Sequence, residues 1–231
     1  VLSAIMKQQT TERGRIVLNE ALDIHGGAGI CVGYSNMLEK FYRSAPIGIT
    51  VEGSNTLTRS LIIFGQGLNK SHPHIFSILD TILQDNSKDF HKELTTMIRH
   101  SVDLYFKTWS FSSSLEKQIV NYAALTNFVA LKGGSLKREQ MLSGDMADIF
   151  SNLYLALSVQ FYEKTYPSSK KLTEYVVQRL MNENQMKINK VIDNLGFEKY
   201  ALLHLKGKVK TISYDQEREI FHEIMNNKMI I

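Results

Sequence analysis

The spacing of apolar and polar residues predicts helices along most of the chain. From Val1 to Leu22, the apolar residues Ile5, Ile16, Leu18 and Leu22 alternate with Lys7, Glu12, Arg13 and Arg15, which reads as one helix. Nothing caps its start, which reads either as a chain that begins inside a longer polypeptide or as a simple frayed terminus. Tyr34 to Arg43 predicts a short helix that Ala45-Pro46 ends. Pro73 opens another, to about Leu83, and a turn follows at Asn86–Lys88. Beyond it lie four further helical segments, Phe90–Trp109, Leu115–Leu131, Leu136–Tyr166 and Leu172–Leu195. Leu153, Leu157 and Phe161, like Tyr175, Leu180 and Ile188, are stripes expected in the core. GGSLKR at Gly133–Arg138 can be taken for an anion site, but a glycine kink or break between two helices flanked by solvated charge is the simpler expectation. After Gly196 the chain turns more polar, with a short amphipathic piece from Gln216 to Met225.

Two stretches interrupt this pattern. DIHGGAGICVG, Asp23 to Gly33, places four glycines where the first helix should break. ITVEGSNTLTRSLIIF, Ile49 to Phe64, begins with a β-branched run that delivers a lone carboxylate, Glu52. Gly53 follows, and then helical spacing: Ser54 or Asn55 suits an N-cap, and Leu57, Leu61 and Phe64 fall on one face.

Composition narrows the class. A chain of 231 residues with three prolines and long helical intervals predicts an all-α helical bundle. Its net charge of +4 comes from interleaved acids and bases, and its lysines do not gather until Lys206, Lys208 and Lys210, so nucleic acid is not an expected partner. The single cysteine, Cys31, excludes an internal disulfide and fits a reducing compartment. No apolar run reaches the length of a membrane span and no signal peptide opens the chain, so the cytoplasm is the expected location.

Each interrupted stretch carries a candidate chemistry and a plainer reading. The glycines of the first can cradle phosphate oxygens with backbone N–H groups, or simply turn the chain between helices. His25 can be a ligand or a capping side chain. The motif lacks a P-loop lysine and follows no strand, so neither nucleotide fingerprint applies. Glu52 can be an acid that suits a helix N-terminus, or a general base in an apolar pocket beside a glycine that admits a substrate. A third candidate, a metal-binding bundle using His72, His74, His91 and His100, lacks the carboxylate–histidine pairs that di-metal bundles require.

The order of these motifs resembles the C-terminal helical domain of acyl-CoA dehydrogenases, flavin enzymes that desaturate acyl-CoA thioesters. DIHGGAGI is similar to the family's flavin-contacting glycine segment, and VEGSNTLTRSLIIFGQG to its catalytic-glutamate segment. DIHGGAGICVG, APIGITVEGSN and LIIFGQG most resemble the long bacterial enzymes of fatty-acid β-oxidation, and ALKGGSLKRE and MADIFSNLYLALSV resemble the additional helical region those enzymes carry. The resemblance covers roughly Val1 to Leu195. It implies three regions: an incomplete C-terminal helical domain over 1–85, an additional bacterial-type helical domain over 86–195, and a variable tail over 196–231.

The resemblance also implies roles. Glu52 matches the catalytic base and Gly53 the residue beside the thioester. Ser54, Asn55 and Thr56 match a flavin-contacting turn. Asp23, Ile24, His25, Gly26 and Gly27 match the segment that meets the flavin pyrophosphate, often that of a neighbouring subunit. Asp23 and His25 stand where many members have glutamine and an aromatic or aliphatic residue, and Val51 where shorter members have tyrosine. The implied cofactor is FAD, and no metal is implied. The implied partners are a fatty acyl-CoA, an electron-transfer acceptor for the reduced flavin, and further copies of the chain, with peripheral association to the inner membrane as a further implied contact. The family's preceding helical and β-barrel domains have no counterpart before Glu52, so the chain alone is expected to be catalytically incompetent. The rival expectation is a non-catalytic helical module for oligomerisation or membrane docking.

Overall fold

A computed structural model describes residues 1–110 and 114–226. The described residues are helical and include no strand, as the all-α expectation required. None of their helices is long and apolar enough to cross a membrane. The chain divides into two compact units, one formed by Val1–Phe90 with Gly134–Ala147 and the other by His91–Gly133 with Asp148–Ile231.

In the first unit, α1 (Leu2–His25) is followed by a glycine turn and the single-turn α2 (Gly27–Ile30). Then come α3 (Glu39–Thr50), the short α4 (Asn55–Leu57), a π-helical stretch (Thr58–Gln66), α5 (Gly67–Ser71) and α6 (Ile75–Leu83). Helix α1 packs on both α3 and the π-helical stretch, around Ile5, Ile63 and Phe64.

Three expectations need correction here. Pro46 does not end a helix: α3 starts later, at Glu39, and runs through Pro46 to Thr50. Proline forfeits one backbone bond, but Ala45, Gly48 and Ile49 form a half-buried face toward α1. At Gly48 the helices approach closely, and a Cβ there would lie 3.1 Å from Thr11 Cγ2, so Thr11 would have to give by a few tenths of an ångström. Second, although Gly65 and Gly67 suggest a helix end near them, the helix from Ser54 continues through both to Ser71. Third, of the expected face Phe64 is buried but Leu57 and Leu61 are exposed, and Thr58, Ser60 and Ile63 are buried beside it. A π-helix bonds i to i+5 rather than i to i+4, which carries the buried face five residues from Thr58 to Ile63.

The second unit holds α8 (Ser114–Ala130), α10 (Lys170–Asp193), α11 (Lys199–Leu202) and α12 (Tyr214–Asn226), together with α7 (Ser87–Lys107) from His91 and α9 (Gln140–Thr165) from Asp148. The glycine break expected before α9 is present as a 3-10 turn, Gly133–Lys137. Along α10 the buried residues Val177, Met181, Asn184, Ile188 and Val191 alternate by four and three, a bundle seam that Leu195 continues just past the helix end. Inside that seam Asn184 donates to Gln118 Oε1 of α8 at 3.2 Å, and Gln118 donates to the Met181 carbonyl at 2.8 Å. Leu180 and Ile188 are in the core as expected, and Tyr175 is half-buried. The α9 stripe is only partly right: Leu153 is buried, but Leu157 and Phe161 are 46% and 71% exposed.

Polar pairs fix α9 against α10. Lys187 meets Asp148 at 2.7 Å, and four residues on along each helix, in opposite directions, Asn152 donates to Glu183 at 3.3 Å. At the turn, Glu163 accepts from the Ser168 and Ser169 N–H groups and from the Ser168 hydroxyl. These bonds, the Ser168 amide first, hold the Glu163 carboxyl below its ordinary range.

Two measurements check this packing. Ile188→Ala should cost about 2–5 kcal/mol in denaturant unfolding, and Leu157→Ala under about 1 kcal/mol. Equal costs would disprove the assigned seam. A depressed glutamate pKa contributes stability that is complete above the ordinary value of about 4.3 and is lost as pH falls through the lower folded value. Glu163→Gln should therefore flatten the acid limb of the stability curve below that pH, while an unchanged limb would remove Glu163 as its cause.

Candidate functional site

The glutamate stretch sits where α3 gives way to α4. Val51 is extended, and then Glu52 (φ 55°) and Gly53 (φ 85°) both adopt left-handed backbone. Glycine takes such angles freely, whereas glutamate rarely does, at a cost of roughly 1–2 kcal/mol. The pair reverses the chain within two residues and turns the Glu52 side chain to the exposed surface. Ser54 then caps α4, its hydroxyl accepting from the Leu57 N–H at 3.3 Å.

What holds this reversal comes from α1. Lys7 donates to the Gly53 carbonyl at 2.8 Å and to Asn55 Oδ1 at 2.7 Å. The Asn55 amide in turn donates to Thr11 Oγ1 at 2.9 Å and Glu12 Oε1 at 2.8 Å. Asn55 is 4% exposed, so these bonds form away from competing water. Thr58 adds a longer bond to the Gly53 carbonyl, at 3.4 Å. Lys7, Thr11 and Glu12 were not singled out from the sequence. The available signal was a polar i, i+4, i+5 set on a helix whose other apolar positions suggested the packing face.

The glycine stretch lies at the far end of the same helix. Gly26 (φ 55°) stops α1, its N–H bonding back to the Leu22 and Asp23 carbonyls. His25 Nδ1 lies 2.9 Å from the Ala21 carbonyl, so the ring caps its own helix. Asp23, Ile24, His25, Gly26 and Gly27 are all exposed. Nothing lies within 4 Å of where a Cβ on Gly26 or Gly27 would sit. Asn36 organises the loop: it donates to the Gly29 carbonyl at 2.7 Å and accepts from the Leu38 and Glu39 N–H groups, capping α3.

The two stretches are not brought together within the chain. Asn55 bonds α1 at Thr11 and Glu12, and Asp23 lies some eleven residues further on, about 17 Å along the helix axis at 1.5 Å per residue. The apolar residues beside the glycine turn (Ile24, Ile30, Val32 and Tyr34) are almost entirely exposed. The histidines are not gathered either: His72 Nδ1 accepts from the His74 and Ile75 N–H groups and so caps α6. Among the described residues no group of three or more His, Cys, Asp or Glu is placed to hold a metal.

The left-handed glutamate–glycine pair, the helix it is clamped to and the open glycine turn all lie within residues that a known protein family's model matches. Residues 1–65 match the family model described as the acyl-CoA dehydrogenase C-terminal domain. Residues 69–219 match the one described as acyl-CoA dehydrogenase, C-terminal, bacterial type. The chain belongs to the acyl-CoA dehydrogenase family, and it carries both the C-terminal domain and the bacterial-type extension. No solved structure matches it.

The clamp is testable without activity. Asn55→Ala deletes the buried amide that joins Lys7 to Thr11 and Glu12, and should cost about 1–3 kcal/mol in unfolding free energy. A cost below about 0.5 kcal/mol, the range of a surface change, would show that the loop holds its shape without it.

Proposed function

We propose that the chain supplies the catalytic base and part of the cofactor site of an FAD-dependent acyl-CoA dehydrogenase, which converts fatty acyl-CoA to trans-2-enoyl-CoA in β-oxidation. The observation that carries this is the held reversal at Glu52 and Gly53. A residue kept in an unfavourable backbone region by buried bonds is a feature of sites where position matters more than local stability. A helix-capping acid would need no such arrangement, and Ser54 already caps α4.

In this reading Glu52 removes the α-proton of the thioester. That proton is weakly acidic, so the base needs raised proton affinity and the developing enolate oxygen needs donors. Glu52 is exposed in the chain by itself, and the apolar acyl chain and the cofactor are what desolvate its carboxylate in the complex. Its backbone N–H donates to the thioester oxygen, and Gly53 leaves room for the thioester. The chemistry supplied by bound FAD is acceptance of the β-hydride, with later reoxidation by an electron-transfer acceptor.

The residues present fit that cofactor. An elongated anion can lie against the open backbone at Gly26 and Gly27, where no side chain intrudes. Ser54 and Thr56 are exposed on the opposite stretch, so their hydroxyls can reach a bound group. Asn55 differs, since its amide is fully used by Lys7, Thr11 and Glu12, and it positions the turn while any contact it makes is through backbone. Asp23, Ile24 and His25 flank the glycines. The distance along α1 between the two stretches favours a homo-oligomer in which the glycine turn serves the cofactor of a neighbouring copy. The exposed apolar residues beside that turn suit such a contact. A cytoplasmic place, at or near the inner-membrane surface, belongs to the same reading.

Two experiments test it. In the holoenzyme, Glu52→Gln should lower acyl-CoA-dependent flavin reduction by about 10²–10⁴-fold with flavin content unchanged. A change of less than about tenfold would leave Glu52 as a surface acid and favour the non-catalytic helical module. The isolated chain should show neither stoichiometric flavin absorbance nor acyl-CoA turnover, and finding both would overturn the view that it needs further domains.

A further inference from the structure

The second unit holds a cavity of about 200 Å³ that the proposed chemistry does not use. Helices α8 and α10 form its walls, and the non-helical segment 206–213 lies along it. That segment is fixed by asparagines of α10. Asn182 donates to the Lys210 carbonyl at 2.7 Å and accepts from the Lys210 N–H at 3.1 Å. Asn189 does the same with Gly207, at 2.9 and 3.1 Å. Seven helical residues and three extended ones both span about 10 Å, which is why the two pairs stay in step.

The cavity's polar groups divide into committed and free. The Gln118 amide donates to the Met181 carbonyl, Gln178 to Asn182, and Gln185 to the Leu205 carbonyl. Lys206 is paired with Asp193 at 2.7 Å. Lys117, Lys208 and Lys210 also line the cavity, and none has an ion-pair partner among the described residues. No described carboxylate lines it. Asn121 lines it too, 5% exposed, and its Oδ1, an acceptor without a partner among the described residues, calls for a ligand hydroxyl rather than for an anionic oxygen. The field is felt inside: burial lowers the proton affinity of His204, opposed by a bond involving Ala201, and the Lys117 charge lowers it further.

We propose that this cavity binds a phosphate-bearing small molecule or headgroup, held by Lys117, Lys208 and Lys210. Ammonium groups donate and cannot accept, so the ligand must be anionic and rich in acceptors. No arginine lines the cavity, and without that planar fork carboxylates lose their preferred two-point partner, whereas a phosphoryl group is well served by several point charges. The volume equals about six or seven waters at roughly 30 Å³ each, enough for a phosphate or pyrophosphate and a small attached body. Lys208 and Lys210, two residues apart on a non-helical segment anchored at Gly207 and Lys210, are placed before any ligand arrives.

Titration calorimetry of the full chain with sodium pyrophosphate, at constant ionic strength, tests this. Saturable binding is expected. The double change Lys208→Gln and Lys210→Gln should weaken it by about tenfold or more, the loss expected for hydrogen bonds to charged groups. Lys117→Gln alone should also weaken it, and Lys164→Gln, outside the cavity, should leave it unchanged. Circular dichroism of each variant confirms that the fold is retained. Absence of saturation, or an equal loss in the Lys164 variant, would overturn the site and leave only diffuse charge. Co-sedimentation with phosphatidylcholine vesicles containing phosphatidic acid separates the sources. Vesicle binding that pyrophosphate displaces identifies a lipid headgroup, and pyrophosphate binding without vesicle binding identifies a soluble phosphate compound.

Discussion

The Lys7 ammonium is the constraint on which the glutamate turn depends. Two consecutive left-handed residues leave the Gly53 carbonyl outside any helix, and a backbone acceptor near the core must be satisfied or the loop opens. Lys7 satisfies it and also fixes the amide of Asn55. Hydrogen bonds to charged groups contribute about 1.5–3 kcal/mol each, against roughly 1–2 kcal/mol for the left-handed glutamate, so the clamp outweighs the strain it holds. Because Lys7, Thr11 and Glu12 share one face of α1, the position of Glu52 is set by a rigid helix rather than by its own loop.

The same device recurs at the other irregular segments. Asn36 closes the glycine loop on Gly29 and caps α3, and Asn182 and Asn189 seat segment 206–213 on α10. An asparagine amide presents one donor and one acceptor side by side, the same pair a backbone residue offers. A helix bearing asparagines seven apart can therefore hold an extended chain as a neighbouring strand would. In this way the helical protein holds a long non-helical segment at two fixed points, the peptide groups of Gly207 and Lys210.

These arrangements also mark the limits of what was legible in the sequence. Helix positions, the Ser54 cap, the break at Gly133 and the turn at Gly26 could be read because each depends on local chemistry, namely period, capping oxygen or φ freedom. The π-helical stretch could not, since a stripe at Leu57, Leu61 and Phe64 presumes a 3.6-residue turn and the backbone departs from it. Pro46 misled for a related reason: its local cost is real, but packing of Ala45, Gly48 and Ile49 toward α1 overrides it. Leu157 and Phe161 have the spacing of core residues without the burial, because spacing defines a face but not what covers it. Lys7 was hidden most completely, being joined to Gly53 across 46 residues by a contact no local rule anticipates.

The two units differ in what they bury. In the second, α8, the α10 seam and the part of α9 from Asp148 onward hold most of the buried apolar side chains among the described residues. In the first, Ile5, Ile63, Phe64, Met146 and Ala147 are buried, while Ile24, Ile30, Val32, Tyr34, Met37 and Phe41 face outward. Apolar side chains gathered along one exposed stretch lose free energy by remaining in water, by about 25 cal/mol per Å². The stretch that bears them is also the one whose glycine turn is open, so surface and cradle are two aspects of a single face. Under the proposed function that face is covered when copies assemble around the cofactor. The thin core of the first unit is then a consequence of its role, because residues that must meet a partner cannot also be spent on packing within the chain.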